Sequence, residues 1–199
     1  MRKDKILSIG GLLIFILVLG SYYAYGIVAE DKYYENYGIA QFYGDKEDQL
    51  LNDTDNNWNN ANGNMTKIKN IANSSLNNLK TSNEYDLKYQ HYVKEMINYA
   101  DSDLKKQYAE LMLLQSNYSI EYNKMYIEEC NLVLNTNWND KTQSAGALAK
   151  IDELEKKCDD LDSKISAIST KRDEIKSKYP EFSKRLDQEY EKSKNTYYK

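Results

Sequence analysis

The sequence has very little proline and glycine, with 1 Pro and 8 Gly in 199 residues. These two residue types mark most turns, so their scarcity favours long, uninterrupted helices. Valine is also scarce, and β-branched residues do not alternate along the chain, which counts against β-strands. We therefore predict an all-α fold.

The residue types that build most metal and redox sites are nearly absent, since the chain has 1 His and 2 Cys. His91 has no second His or Cys close to it in sequence, so it does not form a metal site or a nucleophile–histidine pair. The paired acids Glu128–Glu129 and Asp159–Asp160 are adjacent, so each pair points to different sides of a helix and is expected to be solvated. We predict no catalytic residue, no cofactor-binding residue, no metal ligand and no enzymatic activity.

Asp53, Asp55 and Asn57 have the spacing that opens a calcium-binding loop. Such a loop needs glycine at its sixth position and glutamate at its twelfth, where this chain has Trp58 and Asn64. We interpret the segment as a polar linker.

No cluster of basic residues stands out in the sequence, and the formal net charge is −4. Nucleic-acid binding needs such a patch, so no nucleic-acid partner is expected.

One long uncharged segment is present, at residues 6–29, with Arg2, Lys3 and Lys5 before it and Glu30 after it. As a helix it would be about 36 Å long, enough to cross a bilayer. Basic residues on its N-terminal side place the rest of the chain outside the cytoplasm. We predict that residues 1–29 form a signal-anchor or transmembrane helix, which makes the chain a single-pass protein of the cell membrane.

A cleavable signal peptide is the alternative, because Ala24-Tyr25-Gly26 is a small-x-small site after an apolar core. Cleavage there would give a secreted protein. Under either interpretation residues 30–64 form a membrane-proximal segment and an Asn-rich linker at 52–64. Residues 65–199 then form an extracytoplasmic helical coiled-coil domain.

Several helices are predicted beyond the anchor. Gly38 and Gly44 are expected to weaken any helix that continues past residue 30. A short amphipathic helix is predicted at residues 65–80, and Thr81-Ser-Asn-Glu84 has the form of a capping box that opens the next helix. Residues 85–134 contain no Pro or Gly, so they predict one helix about 75 Å long. The next break is expected at residues 135–140.

The clearest pattern is a set of positions that alternate spacings of four and three residues, which is a heptad repeat with only one charged member. We call this set the heptad stripe: Ala147, Ile151, Leu154, Cys158, Leu161, Ile165, Ile168, Arg172, Ile175 and Tyr179. Pro180 is expected to end this helix. One more short helix is predicted at residues 181–195.

Two long helices joined by a short loop usually pack antiparallel. We predict an elongated antiparallel helical hairpin or coiled-coil bundle, thickened by residues 65–80 and 181–195. A parallel homodimer through the heptad stripe is the alternative.

Cys130 and Cys158 form an even pair in an exported chain, where disulfides persist. A loop centred near Trp138 would leave them about 18 Å out of register, whereas a disulfide needs Cα atoms within about 7 Å. Unpaired core thiols are therefore favoured, and a disulfide is the alternative. Sequons at Asn52, Asn64 and Asn73, and a fourth at Asn117, are candidate glycosylation sites. The 19 Tyr are expected to pack in the core or at its rim.

These patterns predict a membrane-anchored extracytoplasmic coiled-coil protein with a structural or protein-interaction role. Its expected partners are the membrane, through residues 6–29, and a protein or a second copy, through the heptad stripe. The alternative is a ligand-binding sensor domain or an accessory subunit of a larger membrane complex.

Overall fold

A computed structural model describes the backbone of residues 3–59 and 64–198, and the side chains of residues 26–58 and 64–198. The described regular structure consists of five helices: α1 (Lys3–Asn59), α2 (Met65–Tyr99), α3 (Asp103–Asn135), α4 (Lys141–Lys178) and α5 (Pro180–Tyr197). The all-α prediction is confirmed. Side chains 1–25, which include most of the predicted anchor at 6–29, lie outside the described residues. In the part that is described, no helix has an apolar stretch long enough to cross a membrane.

Polar side chains define where three of the helices begin. Side-chain oxygens of Asn64, Ser102 and Asp140 accept backbone N–H groups in the first turns of α2, α3 and α4. Each such cap stabilises a helix by about 1 kcal/mol. Pro180 occupies the first position of α5, where its missing N–H would have had no partner in the helix. The predicted breaks at residues 135–140 and at Pro180 are confirmed.

The predicted boundary at Thr81 is wrong, because α2 continues through it. The Thr81 hydroxyl donates to the carbonyl of Asn77 at 3.1 Å, within the helix. The predicted helix over residues 85–134 is wrong as well, since the chain turns at residues 100–102 and divides it into α2 and α3. The missed signal is Ser102 followed by Asp103, which places a preferred N-cap before an acid in the first turn.

Helix α1 extends further than its composition predicts. It passes through Gly38 and Gly44 and continues to Asn59, so most of the predicted linker at residues 52–64 is helical. Leu51 and Trp58 pack against the core there. Packing of an apolar face contributes more to helix stability than local propensity does, which explains why the Asn-rich stretch stays helical.

Consecutive helices from α1 to α4 are antiparallel. Between α2 and α3, Gln90 donates to Asn117 at 2.9 Å, and Asn123 donates to Ser82 at 3.1 Å, so one helix ascends as the other descends. The predicted antiparallel hairpin therefore occurs several times in sequence. Helices α2, α3 and α4 each pack mainly on the helix before them, whereas no Cα atom of α4 lies within 8 Å of a Cα atom of α1 in the described part of the chain.

Helix α5 runs parallel to α1 and packs along it. Arg185 near its start donates to Asp31 at 3.2 Å, and Tyr190 further along donates to Asp45 at 2.7 Å. The last helix of the chain therefore packs against the first.

The heptad stripe of α4 faces α3. Its buried members are Ala147, Leu154, Cys158, Leu161 and Ile168. Helix α4 packs mainly against α3 and has a small contact with α5, and its Ile151 adds to the cluster that contains Ala72 and Leu79 of α2. Half of the heptad stripe is thus buried within one chain.

The interior consists of two apolar clusters separated by polar residues. One cluster is rich in aromatic rings and includes Tyr33, Tyr37, Tyr89, Tyr108 and Phe182. The other contains Ala72, Leu79, Cys130 and Val133. The prediction that Tyr packs in the core or at its rim is confirmed for these four tyrosines, whereas Tyr179, Tyr197 and Tyr198 are exposed. Between the clusters lies a polar layer, which we define as Glu47, Ser82, Asp86, Ser116 and Asn123, all buried.

Candidate functional site

The polar layer contains two carboxyl groups in contact. Glu47 on α1 is 7% exposed and Asp86 on α2 is 1% exposed. Ser116 on α3 donates to Oδ1 of Asp86 at 2.7 Å. Glu47 Oε1 and Asp86 Oδ2 have no N–H or hydroxyl partner. Buried polar atoms are nearly always hydrogen-bonded, so two such oxygens together indicate a shared proton.

Burial is the main cause that raises the pKa of Glu47, to about 9, and the neighbouring charge of Asp86 raises it further. Burial also raises the pKa of Asp86, to about 6, although hydrogen bonds from Ser116 and Glu47 oppose the shift. The two carboxyl groups therefore share one proton at neutral pH. The arrangement follows the rule that two adjacent buried carboxylates do not both ionise.

Arg172, the one charged member of the heptad stripe, lies beside this layer. Its Nη1 donates to Gln115 at 2.7 Å, its Nη2 donates to the Tyr108 hydroxyl at 3.3 Å, and its guanidinium lies 5.2 Å from the centre of the Tyr108 ring. The Nε–H is buried and has no partner. In the described part of the chain Arg172 forms no ion pair. A guanidinium is always charged, so this is a partly buried cation without a counter-ion.

A cavity of about 150 Å³ opens between α1 and α4, where the backbones of these two helices stay more than 8 Å apart. We call it the Arg172 pocket. Its lining residues come from four helices: Gln41, Gly44, Asp45, Asp48, Tyr89, Gln115, Ser116, Ser119 and Arg172. Ser116 belongs both to this pocket and to the polar layer, so the acid pair lies directly behind the pocket wall. Opposite charges thus line one small cavity without contacting each other.

A second notable feature is a partly exposed aromatic surface on α1, α2 and α5. Phe42 contacts Tyr197 and Tyr198 at ring-centroid distances of 5.5 and 5.0 Å, and Tyr43 stacks on Tyr92 at 5.8 Å. We call this set the aromatic face: Phe42, Tyr43, Tyr85, Tyr92, Tyr197 and Tyr198. Lys46 and Lys88 lie over its rings. Tyr197 and Tyr198 remain 44% and 37% exposed.

The two thiols are free and buried, so the favoured interpretation as core residues is confirmed and the alternative disulfide is not formed. Burial raises the pKa of Cys130 to about 11 and that of Cys158 to about 12. Such thiols stay protonated at neutral pH and are poor nucleophiles.

The remaining polar candidates are scattered. His91 is exposed and touches only the ring of Tyr92 among aromatic side chains. Asp53, Asp55 and Asn57 lie on α1, where a helix cannot wrap them around an ion. Among the described residues no group of His, Cys, Asp or Glu is arranged to hold a metal. The asparagines of all four sequons are exposed.

The expectation that Glu128 and Glu129 are both solvated is wrong for Glu129. This side chain is partly buried beside α4, and burial, followed by the charge of Glu155, raises its pKa to about 7. Glu47, Asp86 and the pocket were not predicted from the sequence. Arg172 is the one polar residue in the heptad stripe, and this interruption of an apolar pattern was the sequence signal for the pocket.

Comparisons with models of known families, with curated proteins and with solved structures found no match to this chain.

Proposed function

We propose that this chain is a membrane-anchored extracytoplasmic helical bundle with a structural or protein-interaction role. Residues 6–29 are the proposed anchor, and the bundle lies outside the cytoplasm. The aromatic face carries the proposal of an interaction role, since aromatic side chains are enriched at protein interfaces and dominate their binding energy. Tyrosine is suited to this because its ring buries apolar area while its hydroxyl stays hydrogen-bonded.

The uncharged segment and its basic flank support the anchor. Helix α1 carries residues of that segment and residues of the bundle core, such as Tyr33 and Tyr37, on one continuous helix. An anchored α1 would therefore hold the bundle close to the membrane without a flexible linker.

Anchoring is tested by isolating the native chain from membranes after an alkaline wash and measuring its intact mass. We expect the full-length mass in the pellet, and digestion of the bundle by protease added outside intact cells. Recovery from the medium of a chain that begins after Gly26 would overturn the anchor and establish the secreted alternative. The same mass reports glycosylation of the sequons.

The interaction role is tested by crosslinking in intact membranes, followed by purification in detergent. Tyr197→Ser removes an exposed ring of the aromatic face, and Leu148→Ser removes an exposed apolar side chain from α4 as the matched control. We expect one crosslinked protein partner, lost in Tyr197→Ser and retained in Leu148→Ser. A solitary monomer in both the wild type and the control contradicts the proposal.

The second candidate is a ligand-binding sensor domain or an accessory subunit of a larger membrane complex. The Arg172 pocket favours this second candidate, because a cavity with an unpaired cation is typical of a ligand site rather than of a purely structural protein. A membrane partner that stays bound in stoichiometric amount through detergent purification would support this role, and its absence would contradict it.

A further inference from the structure

The Arg172 pocket has a cation on one wall. Two of the five N–H groups of Arg172 are used, by Gln115 and Tyr108, while the Nε–H has no partner. A guanidinium recognises a carboxylate through two parallel hydrogen bonds, and Nε–H with one Nη–H is one of the edges that can do so. The anion that would complete this geometry is missing from the described side chains.

The opposite wall, on α1, carries Asp45 and Asp48. Tyr190 of α5 donates to Oδ2 of Asp45 at 2.7 Å, and the hydroxyl of Tyr198, the residue after α5, donates to the same oxygen, so two hydroxyl groups hold this carboxylate in one orientation. Burial and the charge of Asp45 raise the pKa of Asp48. A cation between these two carboxylates would relieve their repulsion.

We propose that the Arg172 pocket binds a small zwitterion whose carboxylate pairs with Arg172 and whose ammonium group pairs with Asp45 and Asp48. A simple anion would face two carboxylates, and a simple cation would face Arg172, so a ligand with both charges fits best. A cavity of about 150 Å³ holds a molecule as large as benzene, which is about six heavy atoms. Short amino acids have this size and charge.

Two neutral features fit the same ligand class. Gly44 leaves space beside Tyr89, since a Cβ at this position would lie 3.5 Å from the Tyr89 ring in ordinary contact. Gln115 and Ser119 supply polar groups on the α3 wall. This inference rests on the second proposed function and names its ligand class.

The test uses the full chain in detergent micelles and measures binding by calorimetry and by the shift in melting temperature. The probes are alanine, β-alanine and γ-aminobutyrate as zwitterions, with propionate and propylamine as matched single charges. We expect saturable binding of at least one zwitterion, at least tenfold tighter than either single-charge probe. Equal binding of propionate overturns the zwitterion class, and binding of none of the five overturns the proposal.

Two variants locate the site. Arg172→Met keeps much of the packing volume but removes the charge, and Lys171→Met makes the same change on the exposed neighbour as the control. Gly44→Leu is expected to fill the pocket without removing a charge, and Gly146→Leu, on an open surface of α4, controls for the helix propensity of leucine. We expect Arg172→Met and Gly44→Leu to abolish binding and both controls to retain it.

If Arg172→Met unfolds the chain, the binding measured for Gly44→Leu decides whether the ligand occupies this pocket. Wild-type affinity in a folded Gly44→Leu chain overturns the assignment to this pocket. These outcomes are independent of the detergent co-purification that tests the sensor or subunit role, so the two proposals fail separately.

Discussion

Gly38 on α1 faces the backbone of Glu189 on α5 so closely that a Cβ at Gly38 would lie 2.8 Å from the Glu189 carbonyl oxygen. The same Cβ would lie 3.2 Å from the Cβ of Ser193. A glycine that weakens α1 by its own propensity therefore allows the last helix to pack against the first. This close approach lets α5 seal the aromatic-rich core.

We expect Gly38→Ala to lower the free energy of unfolding by about 1–3 kcal/mol, because the obstructing atom is backbone and α5 must move. Gly146→Ala is the matched control, since its Cβ would meet nothing within 4 Å and alanine favours a helix by about 1 kcal/mol. Urea denaturation measures both, and hydrogen exchange should show loss of protection in α5 for Gly38→Ala only. Equal stabilisation by both substitutions would contradict the close approach.

The acid pair predicts an unusual dependence of stability on pH. The folded-state pKa of Glu47 is about 9, above its ordinary value. At pH values between the ordinary pKa of a glutamate and about 9, the folded chain therefore binds more protons than the unfolded chain. The stability that this adds is complete below the ordinary carboxyl range and is lost as pH rises through about 9. The free energy of unfolding should therefore fall between pH 6 and pH 9, by up to about 1.4 kcal/mol per pH unit.

Glu47→Gln keeps the shape and stays neutral, so it should flatten this pH dependence and be more stable than the wild type at pH 9. Glu110→Gln, which changes an exposed glutamate on α3, is the control and should keep the wild-type slope. Denaturant titrations at several pH values measure the slope. A wild-type slope in Glu47→Gln would show that the proton is held elsewhere.

Burial of the heptad stripe within one chain predicts the effect of shortening it. Leu161 is buried against α3, so Leu161→Ala should cost about 2–5 kcal/mol of unfolding free energy. Leu148→Ala is the same substitution at an exposed position of α4 and should change stability by less than about 0.5 kcal/mol. Sedimentation equilibrium should give the same mass for the wild type and both variants. A shift of only Leu161→Ala towards smaller species would indicate that the stripe joins two copies.

Burial of both cysteines predicts slow thiol chemistry. At pH 8 the folded chain should react negligibly with an aromatic disulfide reagent, because burial raises both thiol pKa values to about 11 or higher. In denaturant without reductant, two thiols per chain should react. Detection of two thiols only after reduction would instead establish a disulfide between Cys130 and Cys158.

Spacing patterns in the sequence determined much of the helical framework. Scarce Pro and Gly indicated helices, the heptad stripe located α4 and its apolar side, and Asp140 and Pro180 marked real boundaries. These signals are local, because capping and periodicity depend on residues within a turn or two. The missed turn at Ser102 carried a local signal too, but continuous periodicity on both sides masked it.

The candidate site was decided by tertiary structure. Arg172 was conspicuous in the sequence as the polar member of an apolar stripe, yet its partners Gln115 and Tyr108 are more than 50 residues away along the chain. Glu47 and Asp86 resemble surface acids in sequence, and only the packing of three helices removes them from water. Local patterns determine which side of a helix is apolar. Desolvation depends on the neighbouring helices that cover that side, so the acid pair and the pocket exist only in the assembled bundle.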